Sequence, residues 1–87
     1  MVTKTITIKN SEGLHARPAT EIARNATQYS SAVQLDVMGN KYNAKSVLNI
    51  MSAGIKKDTQ ITILCDGIDE ENALSGVVKV FEDNNLI

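Results

Sequence analysis

Apolar and polar side chains alternate with a period of two in three stretches of this chain, and that alternation predicts β-strands. The first stretch covers residues 2–9 and is rich in β-branched residues. The second, residues 31–44, contains Gly39-Asn40, a pair that accepts the positive φ of a tight turn, so it predicts a hairpin. The third covers residues 58–67. The side chains expected to face the core from these strands are Ile6, Ile8, Val33, Leu35, Val37, Ile61, Ile63 and Cys65.

Helical spacing of apolar residues lies between and after these strands. It predicts a first helix over residues 16–28, a short second helix between an N-capping Ser46 and Gly54, and a third helix that begins at the acidic residues 69–71. Gly76 in the third helix costs roughly 1 kcal/mol relative to alanine, which indicates close packing or a local irregularity. The apolar stripes are Ala19, Ile22, Ala23 and Ala26 in the first helix and Leu74, Val77, Val78 and Phe81 in the third.

The resulting element order is βαββαβα. A hairpin beside strands that are connected through helices predicts an α+β fold, in which helices cover one face of a largely antiparallel sheet. Eighty-seven residues suffice for one hydrophobic core and are too few for two. We therefore expect residues 1–87 to form a single domain.

Composition and charge exclude several classes of function. A net charge of −1 with no Trp offers neither the basic surface nor the stacking platform that nucleic acids require. The single cysteine, Cys65, cannot form an internal disulfide and lacks neighbours with metal-ligand spacing, so we expect a reducing compartment and no metal. No cofactor is expected either. No apolar run is long enough to span a membrane, and the N-terminus lacks a secretion signal, so a cytoplasmic location is expected.

The segment EGLHARPAT, residues 12–20, contains the only histidine and the only proline of the chain. If His15 precedes the first helix, then Ala16, Arg17 and Pro18 occupy its first turn, where proline is tolerated because N–H groups there have no intrahelical acceptor. The free N–H groups of Ala16 and Arg17 and the helix dipole would attract an anion. The Arg17 guanidinium is suited to bidentate phosphate contact.

A neutral imidazole in such a place can attack phosphorus and hold the phosphoryl group as a phosphoramidate. The chain has no Gly-rich nucleotide-binding loop, so the donor would be another protein. Two other interpretations stay open on the residues alone. His15 can be a simple cap or surface residue, and the helix start can bind an anion without any chemistry.

The motif GLHARPA, followed about thirty residues later by KSVLNIMSAG, resembles HPr, the histidine-containing phosphocarrier family of the bacterial phosphoenolpyruvate-dependent sugar phosphotransferase system. The resemblance covers essentially the whole chain. It implies an open-faced sandwich, with a four-stranded antiparallel sheet under three helices in the order given above. It also implies a recycled carrier and not an enzyme, in which His15 is phosphorylated, Arg17 contacts the phosphate and Pro18 lies in the first turn.

The same resemblance implies the partners. Enzyme I, charged by phosphoenolpyruvate, would donate to Nδ1 of His15, and sugar-specific enzyme IIA domains would accept the group. Apolar contacts to these partners map onto the second helix at Val47, Leu48 and Met51, with Thr20 on the same surface. A carrier that presents one face to successive partners is expected to be a monomer.

Ser46 suits an N-cap, and the resemblance implies a second role for it. In HPr proteins of Gram-positive type, this serine is phosphorylated by an HPr kinase/phosphorylase, and the product is a corepressor for catabolite control protein A in carbon catabolite repression. Asn49 and Ala53 depart from the regulatory pattern. The rival interpretation of the whole chain is an HPr-like regulatory module that acts mainly through Ser46, and a third is a small anion-binding or scaffolding domain.

Overall fold

The computed structural model describes residues 1–87, and its element order is the predicted βαββαβα. Four strands form one sheet with the spatial order β1-β4-β2-β3. The strands are β1 (Val2–Thr7), β2 (Ala32–Val37), β3 (Asn40–Asn43) and β4 (Gln60–Asp66), and the helices are α1 (Ala16–Thr27), α2 (Val47–Ser52) and α3 (Glu70–Asp83).

Every strand pair in the sheet is antiparallel. Central strand β4 pairs with β1 at Val2↔Cys65 and with β2 at Leu35↔Ile63. Because side chains alternate across a strand, this register directs all the predicted inward residues to one face. The α+β prediction and the four-stranded antiparallel sheet with three helices are confirmed.

The core is one cluster of 20 buried apolar residues between the sheet and the helices. Phe81, the only phenylalanine of the chain, is fully buried on α3, and Ile22 is fully buried on α1. Ile50 is the one fully buried residue of the short α2. Cys65 is also fully buried, and burial, followed by the nearby Glu70 and Asp69 carboxylates, raises the pKa of its thiol. Cys65 therefore acts as a small apolar core residue.

The hairpin turn differs from the predicted one by a residue. Met38 and Gly39 occupy it with φ values of 54° and 88°, and Asn40 already pairs with Val37 as the first residue of β3. The carboxylate of Asp36 accepts a hydrogen bond from the Gly39 N–H at 3.0 Å, which fixes this two-residue turn. Positive φ at both central residues matches the right-handed twist of the flanking strands.

The bounds of β1 and α1 also differ slightly from the predicted ranges. β1 ends at Thr7, although Ile8 remains buried and its N–H donates to Thr59 O at 3.0 Å. α1 ends at Thr27, and Gln28 is its C-cap.

The third helix begins at the predicted acidic residues, and the Asp69 carboxylate has a further role. Asp69 occupies the N-cap position, but its carboxylate makes no cap hydrogen bond to its own helix. It accepts instead from the N–H groups of Ser30 and Ser31 and from the Ser31 hydroxyl, which ties the loop between α1 and β2 to α3. The Glu70 carboxylate accepts from the Gly67 N–H at 3.1 Å and pairs with the N-terminal ammonium at 3.2 Å.

Gly76 is explained by close packing. A Cβ at this position would overlap the hydroxyl group and ring of Tyr29, which follows the end of α1. The missing side chain therefore allows α1 and α3 to approach each other over the sheet.

Candidate functional site

His15 is the N-cap residue of α1, with extended backbone at φ −88° and ψ −174°. Its carbonyl accepts the N–H of Ala19 at 3.1 Å, so the backbone begins the helix while the ring makes no cap hydrogen bond. The side chain is exposed and makes no ion pair or hydrogen bond within the chain. Neither ring nitrogen is therefore engaged by another group of the chain.

The loop before His15 is fixed on both sides. The Asn10 side chain donates to Gly13 O at 2.7 Å, and the Leu14 N–H donates to Ile55 O at 3.0 Å. Gly13 has a φ of 65°, and a Cβ there would overlap the Ile55 carbonyl, so no other residue fits without a shift of the backbone. Leu14 is buried in the core, which holds the next residue, His15, at the surface.

The first turn of α1 combines free donors with a cation. Ala16 and Arg17 are exposed, and as the first two helical residues their N–H groups have no acceptor within the helix. Pro18 is buried and has no N–H to leave unpaired, and its ring packs into the molecule as the third residue of the turn. The Arg17 guanidinium is in no ion pair. The free N–H groups and the positive end of the helix dipole suit a phosphoryl group at this helix start.

Thr20 is half-buried on α1, one turn after the first helical residue. Its hydroxyl donates to Ala16 O at 2.8 Å, which is a bond within the helix. What Thr20 offers to a partner is therefore chiefly its methyl group and the remaining lone pairs of its oxygen.

Ser46 is the N-cap of α2, as predicted. Its Oγ accepts the N–H of Asn49 at 3.2 Å, and its carbonyl accepts the N–H of Ile50 at 3.0 Å. The Asn49 side chain in turn accepts the N–H of Asn43 at 2.7 Å, which joins α2 to the end of β3. Sequence patterns gave no indication of this second bond, because it depends on the strand lying beside the helix.

The three apolar residues predicted to contact partners differ in exposure. Leu48 is 83% exposed and Met51 is 41% exposed, whereas Val47 is half-buried and packs against the core. α2 packs against α1, the helix that begins at His15. The surface of α2 therefore presents two exposed apolar side chains, while Ile50 anchors the helix below them.

No enclosed cavity lies at His15. The one surface groove runs between β1 and α3, and its lining residues are Val2, Lys4, Glu71, Leu74, Ser75, Val78, Lys79 and Glu82. No group of three or more His, Cys, Asp or Glu side chains is arranged to hold a metal ion. None of the helices combines the length and the apolar character that crossing a membrane would need.

An exposed histidine at a helix start that also carries an exposed arginine is an arrangement suited to holding a phosphoryl group at the surface. A family model described as "PTS HPr component phosphorylation site" matches residues 2–83. The chain therefore belongs to the HPr family, whose members are phosphocarriers of the phosphotransferase system and not catalysts.

Solved structures agree with this assignment. A Mycoplasma histidine-containing phosphocarrier protein is 35% identical with a TM-score of 0.97, and the match covers 99% of this chain and 98% of that one. HPr from Thermoanaerobacter tengcongensis is 38% identical with a TM-score of 0.90, over 98% of this chain and 96% of that one. Crh, a Bacillus subtilis catabolite repression protein described as a domain-swapped dimer, is 31% identical with a TM-score of 0.75, over 100% and 99% of the two chains.

Proposed function

We propose that this chain accepts a phosphoryl group from phosphorylated enzyme I on His15 and passes it to enzyme IIA domains for sugar uptake. The observation that carries the proposal is the exposed imidazole of His15 at the N-cap of α1, free of any internal hydrogen bond. In the transfer, a ring nitrogen of His15 forms a bond to phosphorus as the bond between phosphorus and the donor protein breaks. The reverse exchange with an acceptor restores the free ring.

The neighbours of His15 have distinct roles in this proposal. The N–H groups of Ala16 and Arg17 and the Arg17 guanidinium stabilise charge on the phosphoryl oxygens. Pro18 keeps the first turn rigid without adding an unpaired donor. Thr20, Val47, Leu48 and Met51 supply the surface that partners contact, with Leu48 as its most exposed apolar side chain.

Incubation with enzyme I and phosphoenolpyruvate tests the proposal. We expect the intact mass to rise by one phosphoryl group, the phosphate to be lost in acid, and the His15→Ala variant to remain unmodified. An enzyme I preparation that phosphorylates a control HPr but not this chain would contradict the carrier function.

We infer a second modification at Ser46 by an ATP-dependent HPr kinase/phosphorylase, with catabolite control protein A as the partner of the product. The support is the position of Ser46 as the N-cap of α2, the helix that we propose contacts the partners. A phosphate there adds roughly −1.5 to −2 charges to a surface that must receive phosphorylated partners, so transfer through His15 slows. If the purified kinase with ATP leaves Ser46 unmodified, this regulatory assignment is wrong.

The alternative function is a regulatory module that acts through Ser46, and the structural likeness to Crh is the observation that favours it. The two functions differ in the phenotype of His15→Ala. Loss of sugar uptake in that variant supports the carrier, whereas retained uptake with lost repression in Ser46→Ala supports the module.

The proposed carrier acts as a cytoplasmic monomer, since one exposed histidine face must serve successive partners. Sedimentation analysis tests the monomer directly, and a concentration-dependent dimer like that described for Crh would contradict it.

A further inference from the structure

The His15 ring depends on the backbone for its position. The ring is exposed and makes no hydrogen bond or ion pair within the chain, so no side-chain bond holds it. On the C-terminal side, the start of α1 fixes the backbone, because the His15 carbonyl accepts the Ala19 N–H at 3.1 Å. On the N-terminal side, the position of the ring depends on the loop formed by residues 10–14.

The peptide group between Gly13 and Leu14 is held at both of its poles. Its carbonyl, Gly13 O, accepts a hydrogen bond from Nδ2 of Asn10 at 2.7 Å. Its N–H, on Leu14, donates to Ile55 O at 3.0 Å. Because the peptide group is planar, the two bonds together fix its rotation. Leu14 is buried, so the chain enters His15 from a fixed direction.

Asn10 also bonds to Gly13 through its backbone. The Gly13 N–H donates to Asn10 O at 3.2 Å, so two hydrogen bonds join these residues and close the turn of residues 10–13. The residue before Asn10 is held as well, since the Lys9 N–H donates to Leu86 O at 2.7 Å. Asn10 therefore connects the fixed end of β1 to the His15 loop.

The carboxamide of Asn10 is held in one orientation. Gly13 O can only accept a hydrogen bond, so the NH₂ group of Asn10 must face it. The other end of the carboxamide, Oδ1, is buried without a partner. A buried acceptor without a partner has a free-energy cost, and rotating the carboxamide would bring two acceptors together at Gly13. The amide donor is therefore the functional end of this side chain.

We propose that Asn10 is a positioning residue for phosphoryl transfer, which orients the His15 ring through the Gly13–Leu14 peptide. This inference rests on the proposed function, in which a ring nitrogen of His15 must approach phosphorus along the line of the breaking bond. A small error in that approach lowers the rate of the transfer step without weakening the encounter with the donor. Asn10 itself does not touch the phosphoryl group.

The test uses phosphorylated enzyme I as the donor and compares three single variants. Asn10→Ala removes the whole carboxamide, whereas Asn10→Asp keeps its shape and, as a carboxylate at neutral pH, cannot donate to Gly13 O. The control is Asn25→Ala on α1, because Asn25 is also half-buried and its Oδ1 is also buried without a partner. Rapid-quench measurement of the transfer rate against donor concentration gives the rate at saturating donor and the half-saturating concentration. Urea unfolding of each variant gives its stability.

We expect both Asn10 variants to lose about 5- to 20-fold in the rate at saturating donor, with the half-saturating concentration changed by less than about 2-fold. The Asn25→Ala variant should stay within about 2-fold of the original chain in both quantities, whatever its change in stability. A residue that only stabilised the fold would not lower the saturated rate under conditions in which the variant is folded.

Three results would overturn the positioning role. They are a saturated rate in Asn10→Asp equal to that of the original chain, an effect confined to the half-saturating concentration, and equal losses of rate in the Asn10 and Asn25 variants. In each of these results the original chain is still phosphorylated, so the proposed function stands. If the original chain is not phosphorylated while a control HPr is, the proposed function fails, and the positioning role fails with it.

Discussion

At the scale of single residues, the His15 ring is free to react because the backbone and the neighbouring residues make the contacts that hold this loop in place. Its carbonyl begins α1, Leu14 is buried beneath it, and Gly13 permits the close passage of the Ile55 carbonyl. The ring therefore has no structural bond to lose when it becomes phosphorylated. The proposed chemistry needs only charge stabilisation from the first turn of the helix.

Replacement of Arg17 by alanine tests that charge stabilisation. Arg17 is exposed and is in no ion pair, so we expect an unchanged free energy of unfolding. Transfer from phosphorylated enzyme I should fall about 10- to 100-fold, because a charged donor to the phosphoryl oxygens is lost. Rapid-quench kinetics measure the effect, and Arg24→Ala, further along the same helix, serves as the control. Equal effects of the two substitutions would refute the role of Arg17.

At the scale of elements, the period of the apolar residues predicted the sheet and helices, because each element buries one face. Ser46 could be identified as an N-cap from its own neighbours, since capping is a local interaction. The hydrogen bonds of the Asp69 carboxylate could not be identified from the sequence, because its partners Ser30 and Ser31 are distant in sequence. The hairpin turn was misplaced by one residue for a local reason, since the Asp36 bond to Gly39 fixes which two residues form it.

The Asp69 carboxylate predicts a pH dependence of stability. Hydrogen bonds from the Ser31 side chain and then the Ser30 backbone lower the pKa of Asp69 in the folded state. Its contribution is therefore fully present above about pH 4, near the pKa of an unfolded aspartate, and is lost as the pH falls through the lower folded value. Urea unfolding from pH 7 to pH 2 should show a shallower decline for Asp69→Asn than for the original chain. Parallel pH profiles would contradict this account.

The contact between Tyr29 and Gly76 predicts an inverted effect of a helix-stabilising substitution. At a solvent-exposed position inside a helix, Gly→Ala stabilises the protein by about 1 kcal/mol. Here Gly76→Ala should destabilise by about 1 to 2 kcal/mol, because the new methyl group overlaps the Tyr29 ring. Denaturant unfolding in the original chain and in a Tyr29→Ala background checks the cause. The penalty should disappear when the ring is absent, and its persistence would show that Tyr29 is not responsible.

At the scale of the whole molecule, the fold separates a buried core from one working face. α2 contributes only Ile50 to the fully buried set, and its Leu48 and Met51 side chains are exposed. The local motif was sufficient to predict that His15, Arg17 and Pro18 lie together at the start of α1. It could not indicate that Ile55 lies against the loop before His15, because the hydrogen bond from Leu14 to Ile55 joins residues far apart in the sequence.

Leu48→Asp tests the working face. Leu48 is 83% exposed, so we expect the fold and its stability to be retained. Transfer from phosphorylated enzyme I should slow by about 10-fold or more, as expected when a buried apolar contact of an interface is lost. The control is Ile68→Asp, a residue that is 95% exposed and follows β4 at the other end of the sheet from His15. An unchanged transfer rate in Leu48→Asp would exclude this surface.

The most direct test of the account is phosphorus NMR of the chain labelled with ¹⁵N-histidine, after reaction with enzyme I and phosphoenolpyruvate. The sequence has one histidine, so any ¹⁵N coupling reports on His15 alone. We predict a single protein-bound phosphorus resonance that is coupled to a ring nitrogen and disappears in acid. A protein-bound phosphorus resonance without that coupling, or no such resonance while a control HPr is phosphorylated, would contradict the central claim.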